Sequence, residues 1–328
     1  MARGGMGAGR GLPGPRACRL SGVDQPYSRA TEYWSVCLLI LLSACSSTGE
    51  ELEQPGPVII AHRGASGYLP EHTLKAYALG HAMGADLIEP DLVMSGDGHL
   101  VCSHDRTLRR TSNAAALYPH LANESGEVRF CDLTLAEIGR VEFPGKGGEG
   151  SYRYVTFAEF LDLMKRLGRS TGQQVGIIPE LKAPGWHRSL GLPMEAELLD
   201  RLVEAGYGEP GAPVIIQCFE KESLRRLRVE HGSPFRQVLC LGKDSTGEDL
   251  DWAARFCDGI APSRAGVEDA ETGAVSDLVA RAHALGLAVY PYTFKDEQEA
   301  MARFLHEHRV EGLFTDFPDK GAAARDGP

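Results

Sequence analysis

The sequence is short of three things. Its most apolar run, Val36-Cys37-Leu38-Leu39-Ile40-Leu41-Leu42, has seven residues, against the roughly 20 that a bilayer-spanning helix needs. Positive charge is not in excess: the 328 residues carry a net charge of −11, which excludes the basic footprint of a nucleic-acid binder. The first 44 residues hold five arginines against Asp24 and Glu32, a net +3, so the remainder stands at −14. An anionic substrate would have to be met locally, by a metal or a few placed cations. Finally, the eight cysteines form no CxxC pair and no Cys/His ligand spacing, which argues against structural zinc.

Residues 1–44 read as a leader rather than as part of the fold. The apolar run leads into Leu42-Ser43-Ala44-Cys45-Ser46-Ser47, which resembles a bacterial lipobox, with cleavage before Cys45 and acylation of its thiol. Residues 45–57 form a polar tether. The expectation is an exported protein, periplasmic or lipid-anchored to the cell envelope. Cys102, Cys218 and Cys240 sit in apolar strand-like runs and are expected as buried free thiols.

From Val58 the chain alternates strand and helix signals. Strand candidates are Val58–Ala61, Leu87–Met94, His99–His104, Val175–Leu181, Val214–Phe219, Gln237–Leu241, Gly259–Pro262, Ala288–Thr293 and Leu313–Thr315. Helices fall between them, including one over Thr73–Met83 with Thr73 at its N-cap and an amphipathic one over Thr156–Leu167. Repeated βα units over about 260 residues predict an α/β fold, a (β/α)8 TIM barrel over 58–320, with a short tail at 321–328. Nine strand candidates exceed eight, so one lies outside the regular count. The alternation fails over 106–154, which reads as a small inserted subdomain after the His104 strand. Gly145-Lys146-Gly147-Gly148-Glu149-Gly150 inside it matches GxGxxG by letter, but without a strand before and a helix after it reads as a loop. Ser95-Gly96-Asp97-Gly98 has hairpin-turn composition; pairing centred between Gly96 and Asp97 puts Glu89 opposite His104 and Asp91 opposite Cys102.

Charged groups directly after β-branched or apolar runs mark the chemistry, because a buried strand ending in acids and histidines is costly unless those groups bind something. His62-Arg63 follows Val58-Ile59-Ile60-Ala61; Glu89 and Asp91 follow Leu87-Ile88; Glu180 and Lys182 follow Ile177-Ile178-Pro179. Strand C-termini of a parallel barrel converge on one face, so Glu89, Asp91 and Glu180 can meet. Three carboxylates without a Cys or a His triad make a hard oxygen site for Ca2+ or Mg2+. A salt network with Arg63 and Lys182 is the plainer alternative, but it leaves one negative charge unmatched. His62 and His104 are candidate acid and base for in-line displacement at a phosphodiester, with Arg63 and Lys182 on the non-bridging oxygens. The other nine histidines have no comparable context and read as surface or core residues.

His62-Arg63, Glu89-Pro90-Asp91 and His104-Asp105 together resemble the HR…ExD…HD signature of the glycerophosphodiester phosphodiesterase family. Ala61–Leu74 is similar to its periplasmic, calcium-dependent branch, as are Pro179-Glu180-Leu181-Lys182-Ala183-Pro184, Tyr290-Pro291-Tyr292-Thr293 and Leu313–Asp319. The resemblance implies a TIM barrel with a small insertion and hydrolysis of glycerophosphodiesters to sn-glycerol 3-phosphate and an alcohol. It implies acid/base roles for His62 and His104, a divalent cation, Ca2+ ahead of Mg2+, on Glu89, Asp91 and Glu180, and phosphate contacts from Arg63 and Lys182. It further implies attack by the glycerol 2-hydroxyl through a cyclic phosphate. Pro90, Cys102-Ser103 and Glu220 depart from the usual family residues. Two rival readings are a lysophospholipase D or sphingomyelinase D-like enzyme and a non-catalytic surface-binding lipoprotein. The implied partners are a small-molecule glycerophosphodiester and a membrane reached through lipid on Cys45; oligomeric state is not legible.

Overall fold

The strands form where β-branched and other apolar residues run together, and they break where proline removes a ladder donor. In a computed structural model that describes residues 56–109, 111–209, 211–242 and 245–327, thirteen strands are seen among the described residues. They are β1 (Val58–Ala61), β2 (Leu87–Ile88), β3 (Asp91–Met94), β4 (Leu100–Cys102), β5 (Glu142–Pro144), β6 (Ser151–Arg153) and β7 (Gly176–Ile177). Then come β8 (Glu180–Leu181), β9 (Ile215–Cys218), β10 (Arg236–Leu241), β11 (Gly259–Pro262), β12 (Ala288–Val289) and β13 (Gly312–Thr315). The leader, Cys45 and the tether as far as Pro55 lie outside the described residues.

The pairs β2/β3 and β7/β8 are each one barrel strand interrupted at a proline. Pro90 and Pro179 have no N–H to give the ladder, yet their carbonyls accept from Glu180 N and Gln217 N, at 2.9 and 3.0 Å. Counted this way, eight parallel strands run β13-β1-β2 with β7, and β12-β11-β10-β9-β8-β3. Backbone bonds from Glu311 N to Val289 O (3.1 Å) and from Phe314 N to Pro291 O (3.0 Å) link the last two strands. The ninth candidate is β4, which pairs antiparallel with β3 and stands outside the eight. A helix follows each barrel strand: Leu74–Ala82, Phe157–Thr171, Met194–Leu202, Lys221–Arg225, Gly247–Phe256, Leu278–Ala284, Gln298–His306 and Pro318–Asp326. The architecture is a (β/α)8 TIM barrel.

Period-2 alternation sorts the core into layers. Ile60, Leu87, Ile178, Ile215, Val238, Ala261, Tyr290 and Phe314, from the eight successive strands or their immediate ends, fill the interior. Ile59, Ile88, Leu92, Ile216 and Leu239 face outward against the helices, with Tyr77, Phe160, Leu198 and Phe304. Between the β4 strand and Thr156, the insertion has its own core, in which Phe130, Leu133, Ile138, Phe143 and Tyr154 pack on Val93 and Val101. The glycine-rich run Gly145–Gly150 is the loop of the β5–β6 hairpin, a different structure from a strand-to-helix dinucleotide turn.

Two expectations are corrected. The β3–β4 register is Leu92↔Cys102, Val93↔Val101 and Met94↔Leu100, one residue away from the expected pairing, so Asp91 lies across from Ser103 rather than Cys102, and Glu89 is not opposite His104. The cause is a three-residue loop: Ser95 N donates to His99 O at 2.9 Å, and Gly98 takes φ +87°, where a two-residue turn had been assumed. The supposed tail from 321 instead continues the last helix, Pro318–Asp326, and supplies most of it. It lacks an apolar stripe because it closes on β1 through small residues; a Cβ on Gly321 would stand 2.8 Å from Ile59.

The helix Phe157–Thr171 restarts the barrel after the insertion and is held by a capping box: Thr156 accepts from Glu159 N at 3.0 Å, and Glu159 accepts from Thr156 N at 2.8 Å. Thr156→Ala is expected to destabilise the protein by about 1 kcal/mol, read from the urea unfolding midpoint; an unchanged midpoint would show that the cap does not set this boundary.

Candidate active site

Parallel register brings the acids together. Asp91 pairs with Glu180, and Glu180 with Gln217, so three neighbouring strands put these residues in one row. Glu89 joins from the proline-interrupted end of β2. Glu89, Asp91 and Glu180 are buried, and each offers a carboxylate oxygen within 4.8 Å of the others. Around them a pocket is lined by His62, Arg63, His104, Lys182, Gln217, Phe219 and Tyr292. Six of the seven fold-borne candidates from the sequence line it, and the seventh, Asp91, lies just beneath.

Positive charge is close but insufficient. Lys182 Nζ is 2.7 Å from Glu180 and 3.9 Å from Asp91, and Arg63 Nε is 3.2 Å from Asp91 Oδ2. Burial, unopposed by enough cations and aggravated by Asp91, pushes Glu180 well above the usual carboxylate range. Burial likewise raises Glu89 to about 7, against the pull of His62. Asp91 goes the other way: burial is outweighed by Lys182, His72 and Arg63, which hold it well below its ordinary value. Such a mixture of all-oxygen donors, two of them reluctant to ionise on their own, fits a hard divalent cation.

The histidines are held by carboxylates of their own. His62 Nδ1 meets Asp316 Oδ1 at 2.7 Å, and its Nε2 lies 3.9 Å from Glu89. Burial works against charging His62, but Glu89 and Asp316 outweigh it and the imidazole is raised above its ordinary value. His104 Nδ1 meets Asp105 at 2.8 Å; burial, with Lys182 and Arg63, lowers it. The shifted hairpin register does not separate His104 from the pocket, which it still lines.

Arg63 and His72 both take φ +58°, a backbone region that non-glycine residues seldom occupy. At Arg63 this turns the backbone N–H onto Glu89 Oε2, at 3.1 Å. Gly64 follows at φ +82°, and a Cβ there would meet the Ala76 backbone at 2.6 Å, so the turn admits only glycine.

Four residues of the site carried no role in the sequence reading. Asp316 orients His62, and its position directly after the last barrel strand is the same signal that marked Glu89 and Glu180. Gln217 donates to Glu89 Oε1 at 2.7 Å. His72, read as one of nine histidines without context, is buried with Nε2 3.1 Å from Asp91 and Nδ1 2.9 Å from Tyr77. Glu71 spans Arg63 and Arg109. Polar residues that reach the site from a helical loop have no strand periodicity to mark them. Glu220, a departure from the family pattern, accepts from Gly185 N at 2.8 Å and ties two catalytic-face loops together.

A family model for the glycerophosphoryl diester phosphodiesterases matches residues 62–320. The chain belongs to that family. A glycerophosphodiester phosphodiesterase of Haemophilus influenzae is 30% identical over 86% of this chain and 94% of its own, and one from Bacillus subtilis is 30% identical over 84% and 89%. Among solved structures, an Oleispira antarctica phosphodiesterase in complex with the product sn-glycerol-3-phosphate is similar in fold, with a TM-score of 0.63, 22% identity and coverage of 83% and 97%. A Silicibacter pomeroyi structure described as a glycerophosphoryl diester phosphodiesterase gives 0.65, 23%, 82% and 92%. Family membership makes this protein a phosphodiester hydrolase, and the candidate site described above lies at the C-terminal ends of the barrel strands.

Glu89, raised to about 7, holds a proton in the folded state that the unfolded chain has released between about pH 4.5 and 7. Its contribution to stability is thus complete below pH 4.5 and lost as pH rises toward 7. In chelated protein the stability of wild type relative to Glu89→Gln should fall between pH 5 and 7; a difference independent of pH in denaturant titrations would contradict this.

Proposed function

We propose that this protein hydrolyses glycerophosphodiesters to sn-glycerol 3-phosphate and an alcohol, with His62 and His104 as the acid/base pair and a divalent cation on Glu89, Asp91 and Glu180. The observation that carries the reading is the convergence of two carboxylate-held histidines, three buried acids and two cations on one pocket. The product bound by the Oleispira antarctica relative is a further support for the substrate class.

The chain's own groups divide the work. Asp316 fixes one nitrogen of His62 and leaves the other toward the acids and the pocket, so proton transfer at Nε2 needs no rotation of the ring. Asp105 likewise holds Nδ1 of His104, which lines the same pocket. One histidine takes the proton from the attacking oxygen and the other returns one to the leaving oxygen. Arg63 and Lys182 line the same pocket as the two histidines and in this reading hold the non-bridging phosphate oxygens; both stay charged because Asp91, Glu180 and Glu71 outweigh the cost of their burial. A bound cation would supply neutralisation of phosphate charge, and the resemblance to the calcium-dependent branch puts Ca2+ ahead of Mg2+ at this all-oxygen site. Gln217 and His72 keep Glu89 and Asp91 oriented toward it.

The same proposal includes export with lipid on Cys45, a residue outside the described part of the chain. Its support is the order of apolar run, small residues, Cys and polar tether in the sequence. Labelled palmitate should enter the wild-type chain in a bacterial host and not Cys45→Ala; equal labelling would end that part.

The activity is tested on the fragment from Ser46, chelated, resupplied with Ca2+ or Mg2+ and offered glycerophosphocholine. Metal-dependent release of sn-glycerol 3-phosphate is expected, with His104→Ala and His62→Ala each reducing kcat by about 10²–10⁴. Release of lysophosphatidic acid from lysophosphatidylcholine, with none from glycerophosphocholine, would favour the lysophospholipase D reading. A folded fragment that binds these substrates without turnover would favour the binding lipoprotein.

A further inference from the structure

The insertion sends one charged side chain toward the catalytic face. Arg109 Nη2 lies 2.8 Å from Glu71 Oε1, and the other oxygen of that carboxylate accepts from Arg63 Nη1 at 2.9 Å. Arg63 Nε in turn faces Asp91 at 3.2 Å. Four charges of alternating sign thus run from the insertion to the acid cluster. Both ends of the run are built. Arg109 is held by its backbone N–H, which donates to Tyr154 Oη at 2.7 Å, and its guanidinium lies 5.0 Å from the ring centre of Phe143. Phe143 and Tyr154 belong to the insertion's own core, with ring centres 4.9 Å apart. The β5–β6 hairpin also covers the segment that carries Glu71: a Cβ on Gly145 would lie 3.4 Å from Pro70, and Lys75 Nζ is 5.9 Å from the Tyr152 ring.

The sharing of Glu71 has a consequence for phosphate. A carboxylate paired with Arg63 alone would compete with an incoming phosphate for that guanidinium. Split between two arginines, it holds Arg63 in place while leaving more of its charge for the ligand. Among the described residues, Arg63 Nη2 makes no hydrogen bond, which leaves a donor for a phosphate oxygen. Glu71 stays ionised throughout: burial opposes its charge, but His72, Arg63 and Arg109 bring it down to about 2.

We infer that Arg109 and Glu71 are positioning residues through which the insertion sets the phosphate affinity of Arg63. The inference rests on the phosphate role proposed for Arg63 and adds how the inserted subdomain controls it.

A double-mutant cycle separates the possibilities. Arg109→Met should raise KM for glycerophosphocholine and weaken sn-glycerol 3-phosphate binding by roughly tenfold, with kcat within about twofold, and Arg109→Lys should recover most of the loss. In a Glu71→Gln background, Arg109→Met should add almost nothing, because the charge it shares is gone. Unchanged KM in Arg109→Met, or the same loss in both backgrounds, would overturn the inference, the latter by showing that Arg109 meets the substrate itself. The Arg109→Lys protein and unfolding temperatures of all variants separate these results from misfolding. Should Arg63→Met bind sn-glycerol 3-phosphate as wild type does, the failure would lie with the phosphate role of Arg63 and not with the coupling.

Discussion

Three carboxylates buried on adjacent strand ends, with Arg63 and Lys182 as the arginine and lysine paired to them among the described residues, form the constraint to which the rest of the catalytic face answers. Isolated buried anions are costly, and removing a partner from a buried ionic cluster is costlier still. The site meets this cost in three ways: Lys182 and Arg63 pair with Asp91 and Glu180, hydrogen bonds from Gln217, His72 and the Arg63 backbone hold the carboxylates, and two of the acids resist ionisation. In the proposed reading a divalent cation makes up the remaining deficit of positive charge.

The barrel determines the shape of that cluster. Prolines at 90 and 179 interrupt two strands without breaking their pairing, since their carbonyls still accept from Glu180 and Gln217 on the next strand. The acids are therefore carried by sheet register, which fixes position more tightly than a loop would. His104 and the Arg63 turn are carried by loops, and each is secured by a local carboxylate or by an unusual backbone angle. Rigid acids and individually tethered histidines suit a reaction in which the charge must stay put and protons must move.

The fold was legible because it is repetitive: most βα units announce their strand by apolar, often β-branched residues and their helix by 3.6-residue spacing, and the last helix, Pro318–Asp326, which has no apolar stripe, is the one that did not show. The acids were legible because each closes an apolar run, and His62, Arg63, His104 and Lys182 because they stand beside such runs. The hairpin register was missed by one residue, since Ser95-Gly96-Asp97-Gly98 serves two-residue and three-residue turns equally and only the Gly98 backbone decides. His72, Gln217 and Glu71 were missed for a different reason. Their importance comes from a partner 8 to 128 residues away, as for Arg63 and Glu71 or Glu89 and Gln217, and nothing local in the sequence marks such pairs.

Whether the three buried acids bind a divalent cation can be measured without substrate. Chelated protein is titrated with Ca2+, or separately with Mg2+, while its unfolding temperature is followed. A ligand that binds only the folded state raises that temperature with concentration, and a site lacking positive charge must respond in this way. Wild type should show a rise that saturates, and Glu180→Gln, which removes one acid while keeping the side-chain shape, should show little or none. Wild-type protein whose unfolding temperature ignores both ions up to millimolar concentration would contradict the account and leave the three carboxylates as a structural network satisfied by Arg63 and Lys182.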